Sequence, residues 1–136
     1  MENCIFCKIL KNEIPSSTVY EDDKFRGIMD IAPINKGHVI LLAKEHAANL
    51  LEADDELLSA ALPAVKKVAK AVKKTVGCDG VNILQNNGEA AGQTVFHLHL
   101  HVIPRNKQDG VELPPPKDKY ADGEAAELAK KISENL

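Results

Sequence analysis

The chain has 136 residues, 44 % apolar and 27 % charged, which suits one folded domain with a sizeable core and excludes bulk disorder. Its net charge of -3 lacks the basic surplus of a groove-binding protein, so no nucleic-acid partner is expected. Without an apolar run near the roughly 18 residues of a spanning helix, without an export-like start at Met1-Glu2-Asn3-Cys4, and with three cysteines, the chain reads as a cytoplasmic protein with no membrane partner and no disulfide framework.

In chain order, Thr18-Val19-Tyr20 and Lys24 to Asp30 flank the acidic cluster Glu21-Asp22-Asp23, a pattern that predicts a hairpin. Ile31 to Gly37 is a loop, and His38-Val39-Ile40-Leu41-Leu42-Ala43 is an apolar run fit for a buried strand. From Asp54 to Val76 the period changes. Leu58, Leu62, Val65, Val68, Ala69, Val72 and Val76 recur every three or four residues, with lysines on the other sides, which predicts an amphipathic helix. Pro63 is expected to kink that helix or to start a second one, and Gly77 to stop it. Val81 to Asn86 reads as a further strand, followed by a polar loop to Gly92 and a strand ended by Pro104. Residues 1–113 are expected to form the domain, with a linker at Pro114-Pro115-Pro116. Beyond the linker, Ala125, Leu128, Ala129, Ile132 and Leu136 predict a short tail helix packed on something. Parallel alternation is absent, so the fold class is α+β: a five-stranded antiparallel sheet, one main helix and a short C-terminal helix.

Three of the five histidines lie in Phe96-His97-Leu98-His99-Leu100-His101-Val102. On a strand, His97, His99 and His101 share one face at roughly 6.6–6.8 Å spacing, while Leu98, Leu100 and Val102 anchor the other. Charge on one ring opposes protonation of its neighbours, so some stay neutral near pH 7. A neutral imidazole is a good nucleophile toward phosphorus, and its neighbours can give protons to a leaving group. Spread along one strand, the three cannot chelate one ion without ligands from elsewhere. Upstream, Asn86 to Gly92, with Gln93 and Thr94, supplies glycines, amides and a hydroxyl that can approach a phosphate. Cys4-x-x-Cys7 reads as a redox pair, as half of a zinc site or as an accident. A thioredoxin-like role wants a strand before the pair, and zinc wants two more ligands. Cys78 reads as a buried thiol.

The segment Gly92 to Arg105 resembles the signature of the histidine triad (HIT) superfamily, a histidine alternating three times with apolar residues. The resemblance is closest to its nucleoside phosphoramidase branch. It extends back through Glu13-Ile14-Pro15, Tyr20-Glu21-Asp22-Asp23, Asp30-Ile31-Ala32-Pro33 and Lys36-Gly37-His38 to Cys4-Ile5-Phe6-Cys7.

That resemblance implies a two-step displacement on the α-phosphate of a purine nucleotide. His99 would form a nucleotidyl-histidine, and water would release a nucleoside monophosphate such as AMP. His101 would assist the leaving group, with His97 and His38 supporting the cluster. Asn86, Gln93 and Thr94 match phosphate-side positions, and Asp30 matches a ribose-binding carboxylate. Ile5, Phe6, Ile9, Ile28 and Ile31 would line the base slot. Transferases of the family have Gln where this chain has His101, so hydrolysis is implied over transfer. Related bacterial proteins use a set matching Cys4, Cys7, His46 and His97 for a structural zinc, which would take His97 out of acid–base chemistry. A homodimer is likewise implied. The same attack would serve a dinucleoside polyphosphate hydrolase, and a nucleotide-binding regulatory or scaffold protein is the rival outside enzymes.

Overall fold

The computed structural model describes residues 3–113 and 115–136, so Pro114 of the expected linker lies outside the described residues. Five strands form one antiparallel sheet: β1 (Thr18–Glu21), β2 (Phe25–Met29), β3 (Val39–Ala43), β4 (Gly80–Leu84) and β5 (His99–Arg105). Their spatial order is β1-β2-β3-β5-β4. The α+β fold with five antiparallel strands is therefore as expected. The β1–β2 turn closes on Asp22, whose Oδ1 accepts from the Lys24 and Phe25 N–H groups at 2.7 and 2.8 Å. Its Oδ2 accepts from the Tyr20 hydroxyl at 2.6 Å.

The two faces of the sheet differ, and period 2 says why. Val39, Leu41 and Ala43 of β3 and Leu100 and Val102 of β5 face one side. There they meet Ala61, Ala64, Val65, Val68 and Val72 of α3 (Ala61–Val76) and Leu57 of α2 (Asp55–Ser59). Ile40 and Leu42 point the other way and pack with Ile28 against Phe6 and Ile9 of α1 (Ile5–Leu10). His99 and His101 stand on that second face, beneath α1.

Four sequence expectations are corrected. The 54–76 helix breaks at Ala60 rather than at Pro63, which occupies the third position of α3, where a missing N–H leaves no intrahelical bond unmade. The buried stripe of α3 includes Ala61 and Ala64, whereas Leu62 is exposed. Gly77 does end α3, in the left-handed region at φ 66°. Pro104 does not end β5. It pairs with Val81 of β4, and its carbonyl accepts from Asn35 Nδ2 at 2.9 Å. In an antiparallel strand a residue's N and O point the same way, so the missing N–H faces Asn35, beyond the last β3 rung at Val39 and Val102. Finally, α4 (Glu124–Glu134) forms, but Leu128 and Ile132 on it and Leu136 after it are exposed rather than packed as expected. Among the described residues no helix is long and apolar enough to cross a membrane.

Candidate active site

A cavity of about 320 Å³ lies between α1, the sheet and the loop before β5. That is within the size range of small-molecule sites. His99 and His101 form its floor, and Ile5, Phe6, Ile9, Ile28 and Ile31 line its apolar side. Phe6, Ile9 and Ile28 are buried, whereas Ile31 and Ile5 sit on the rim. Asp30, just past β2, lines the same cavity, as do Asn86 and Thr94 across from it. The sequence reading missed α1 itself and the lining residues Ile14, Pro15, Ser16, Met29, Ile40, Gly92 and Val95. Ile40 could have been found from register, because it sits beside His101 in the β3–β5 ladder and shares its face.

Hydrogen-bond partners fix the ring nitrogens. His99 Nδ1–H donates to the His97 carbonyl at 2.6 Å, which leaves Nε2 as the nitrogen with a free lone pair. The Ile34 N–H donates to His38 Nδ1 at 3.1 Å. His38 must then carry its proton on Nε2, and it donates to His101 Nδ1 at 2.9 Å. That bond leaves His101 with Nε2–H as a free donor. Asp30 Oδ2 lies 3.4 Å from His38 Nε2, and its Oδ1 accepts from the Ala32 N–H at 2.8 Å. Burial pushes the His99 and His38 pKa values below the ordinary imidazole value. At His101 burial, followed by the neighbouring His99 and His38, pushes the pKa down to about 4. Both floor imidazoles are therefore neutral near pH 7. Asp30, His38 and His101 converge closely enough to resemble a metal site. Their nitrogens are instead spent on one another and on Ile34.

Gln93 and His97 do not line the cavity. The Gln93 side chain, 3 % exposed, donates to the Ala48 and Val95 carbonyls at 2.7 and 3.1 Å and accepts from the Gly88 N–H at 2.8 Å. With its donors and acceptor spent, it holds the loop rather than facing a phosphate. Gly92, at φ 94°, closes the turn over Glu89–Ala91, and a Cβ there would sit 3.3 Å from Asn86 Nδ2. His97 precedes β5 and its ring is fully buried. It donates through Nε2–H to the Ala43 carbonyl at 2.7 Å, so its Nδ1 carries a lone pair.

That Nδ1 faces Cys4 Sγ at 3.3 Å, Cys7 Sγ at 3.5 Å and His46 Nδ1 at 3.1 Å, and Cys7 Sγ lies 3.3 Å from His46 Nδ1. A tetrahedral site with zinc–nitrogen and zinc–sulfur bonds of ordinary length has ligand–ligand edges of about 3.3–3.8 Å. These four separations lie close to such edges, all four donor atoms lie within 4.8 Å of one another, and two thiols with two imidazoles are a zinc-like set. They fit a metal ion, and the geometry joins all four residues named from the sequence.

The antiparallel sheet thus sets two imidazoles on the floor of an apolar cavity, beside a separate Cys/His cluster, as a candidate histidine-centred small-molecule site. The HIT domain matches residues 11–108, and the chain belongs to that family. It is 41 % identical over 135 residues to an adenosine 5'-monophosphoramidase of Schizosaccharomyces pombe, covering 98 % of each chain. A crystal structure of a HIT family member from Bacillus subtilis superposes with a TM-score of 0.92 at 39 % identity, covering 98 % of this chain and 97 % of that one. A zinc-bound histidine triad family protein from Mycobacterium smegmatis superposes at 0.78 with 34 % identity, covering 98 % of both.

Proposed function

We propose that this protein hydrolyses nucleoside 5'-phosphoramidates at the α-phosphorus, releasing a nucleoside monophosphate, AMP in the first instance. The observation that carries this reading is the His99 ring. Its Nδ1–H is tied to the His97 carbonyl, and its remaining nitrogen is a neutral lone pair at the floor of a nucleoside-sized cavity. The named activity of the Schizosaccharomyces pombe relative supports the same chemistry. His99 Nε2 attacks phosphorus as the phosphorus–nitrogen bond breaks. The departing nitrogen takes up one proton, and His101 Nε2–H is the donor facing it. The anionic phosphate beside His101 favours its protonated form, so the ring takes a proton from solvent beforehand, gives up Nε2–H as an imidazolium and ends neutral with a free Nε2 lone pair. Water then attacks the nucleotidyl-His99 as the neutral His101 Nε2 takes its proton, His99 leaves as a neutral ring, and the monophosphate is freed. Asp30 accepts from the ribose hydroxyls, Thr94 and Asn86 face the phosphate, and the apolar wall holds the purine.

Structural zinc on Cys4, Cys7, His46 and His97 supplies a cross-link between α1 and the start of β5, with no part in the displacement. A homodimer accounts for the bare apolar stripe of α4 and for the open β4 edge, where Ile83 and Leu84 are exposed. A monomer mass by light scattering across a wide concentration range would contradict that assembly. The test of function is a substrate panel. Turnover of adenosine 5'-phosphoramidate should exceed that of diadenosine polyphosphates. AMP binding without turnover of either would leave a binding protein instead.

A further inference from the structure

The two cysteines reach the catalytic floor by two routes. Helix α1 is the first. Cys4 is its N-cap and Cys7 lies in its first turn, and the same helix presents Ile5, Phe6 and Ile9 to the nucleotide cavity. Phe6, between the cysteines in sequence, packs edge-on against His99 with ring centroids 4.9 Å apart and against His97 at 5.9 Å. The second route is His97 itself. Its Nδ1 faces both sulfurs, while its carbonyl accepts the proton that fixes the His99 tautomer. The cluster is also approachable. A second cavity, of about 340 Å³, is lined by Cys7 and His46 together with Leu10, Lys11, Glu21, Arg26 and Lys44, and shares no lining residue with the nucleotide cavity. All four donor atoms, both sulfurs included, lie within 4.8 Å of one another.

We propose that Cys4 and Cys7 form a thiol–disulfide switch on nucleotide hydrolysis, driven by hydrogen peroxide entering at Cys7. The Cys7 sulfur attacks the peroxide, giving a sulfenic acid as the oxygen–oxygen bond breaks and one water leaves. The Cys4 sulfur then attacks the Cys7 sulfur and the sulfenic oxygen leaves as a second water, the protons coming from the thiols or, where zinc holds both sulfurs as thiolates, from solvent. Two sulfurs are oxidised and one peroxide is reduced to two waters. A sulfur–sulfur bond of about 2.05 Å draws the pair together, and its sulfurs no longer serve as thiolate ligands. His97 loses its partners at Nδ1, the start of α1 shifts with the sulfurs, and both changes reach His99. This inference rests on the metal and nucleotide readings above.

The test uses the reduced, zinc-replete full chain treated with hydrogen peroxide. Non-reducing peptide mapping should find one Cys4–Cys7 disulfide, and a chromogenic chelator should detect released zinc. AMP binding and turnover should fall about 10–100-fold, the range seen when the partners that orient a site are lost. Dithiothreitol with one equivalent of zinc should restore both. A Cys78→Ala protein should respond like the parent, since Cys78 is buried away from both routes. The His99 imidazole signals in NMR should also move on oxidation, a readout that needs no nucleotide. If the nucleotide reading fails, the reduced protein will neither bind nor turn over the phosphoramidate, yet the signals will still report the switch. A disulfide that forms with the His99 signals unmoved, or oxidation to separate sulfinic acids without a disulfide, would overturn the proposal.

Discussion

Replacing His38 by Phe tests the relay that sets the His101 tautomer. His38 is 2 % exposed and makes two bonds, one from the Ile34 N–H and one to His101 Nδ1. Phenylalanine keeps a ring of similar shape, so no large cavity opens, but it strands both partners. Leaving a buried polar group unpaired costs about 1–3 kcal/mol. Ile34 lies on a partly exposed loop, where its N–H can turn toward water, so its share falls at the low end. The sum expected is about 2–4 kcal/mol, read as a lower denaturant midpoint at unchanged slope. Function should change in a particular way as well. With Nδ1 unpaired, His101 populates both tautomers, and its Nε2–H is no longer guaranteed. Turnover should fall most for phosphoramidates with poor amine leaving groups and least for good ones. A stability loss under about 1 kcal/mol with unchanged turnover across leaving groups would refute the relay.

Asp30→Ala should weaken AMP binding by roughly 1.5–3 kcal/mol, as expected for bonds to a charged group, and should abolish discrimination against a dideoxy analogue in calorimetry. Protein purified without added metal should contain close to one zinc per chain by elemental analysis, and Cys4→Ser should lose both the zinc and thermal stability. Chelators should loosen the N-terminus without directly stopping the displacement. In the folded chain His101 titrates at about 4, against the ordinary 6.5 expected when unfolded. Between those values the unfolded chain binds more protons, so stability contributed by this ring rises with pH across that window and is flat above it. The denaturation midpoint should therefore climb between about pH 4 and about pH 6.5, and His101→Phe should flatten that climb.

The parts legible in the sequence were those with a long repeat or a strong local signal. The alternation around His99 placed β5 and both floor imidazoles. Glu21-Asp22-Asp23 placed the hairpin because Asp22 supplies the turn's acceptors. Gly77 placed the end of α3. Helix α1 escaped because six residues are too few for a helical period, and its cap is a cysteine sulfur accepting from the Cys7 N–H at 3.4 Å. Strand alternation put His97 beside His99, but β5 begins only at His99, which frees the His97 ring to turn toward the cysteines. Gln93 looked like a phosphate contact because its amide is polar and next to the motif. Only the structure shows that amide spent on Ala48, Val95 and Gly88. The tail helix was legible from its spacing, whereas the packing expected of it is not made, since Leu128, Ile132 and Leu136 are exposed.

The central claim is that His99 carries the nucleotide covalently. Rapid quench of the wild-type protein with a phosphoramidate labelled at phosphorus, followed by peptide mapping, tests it most directly. The label should appear on His99 during turnover and vanish as AMP is released. His99→Ala should show no adduct and no turnover while retaining AMP binding, because the ribose and base contacts lie elsewhere. Label on His97 or His101, or a His99→Ala protein that still turns over, would contradict the account.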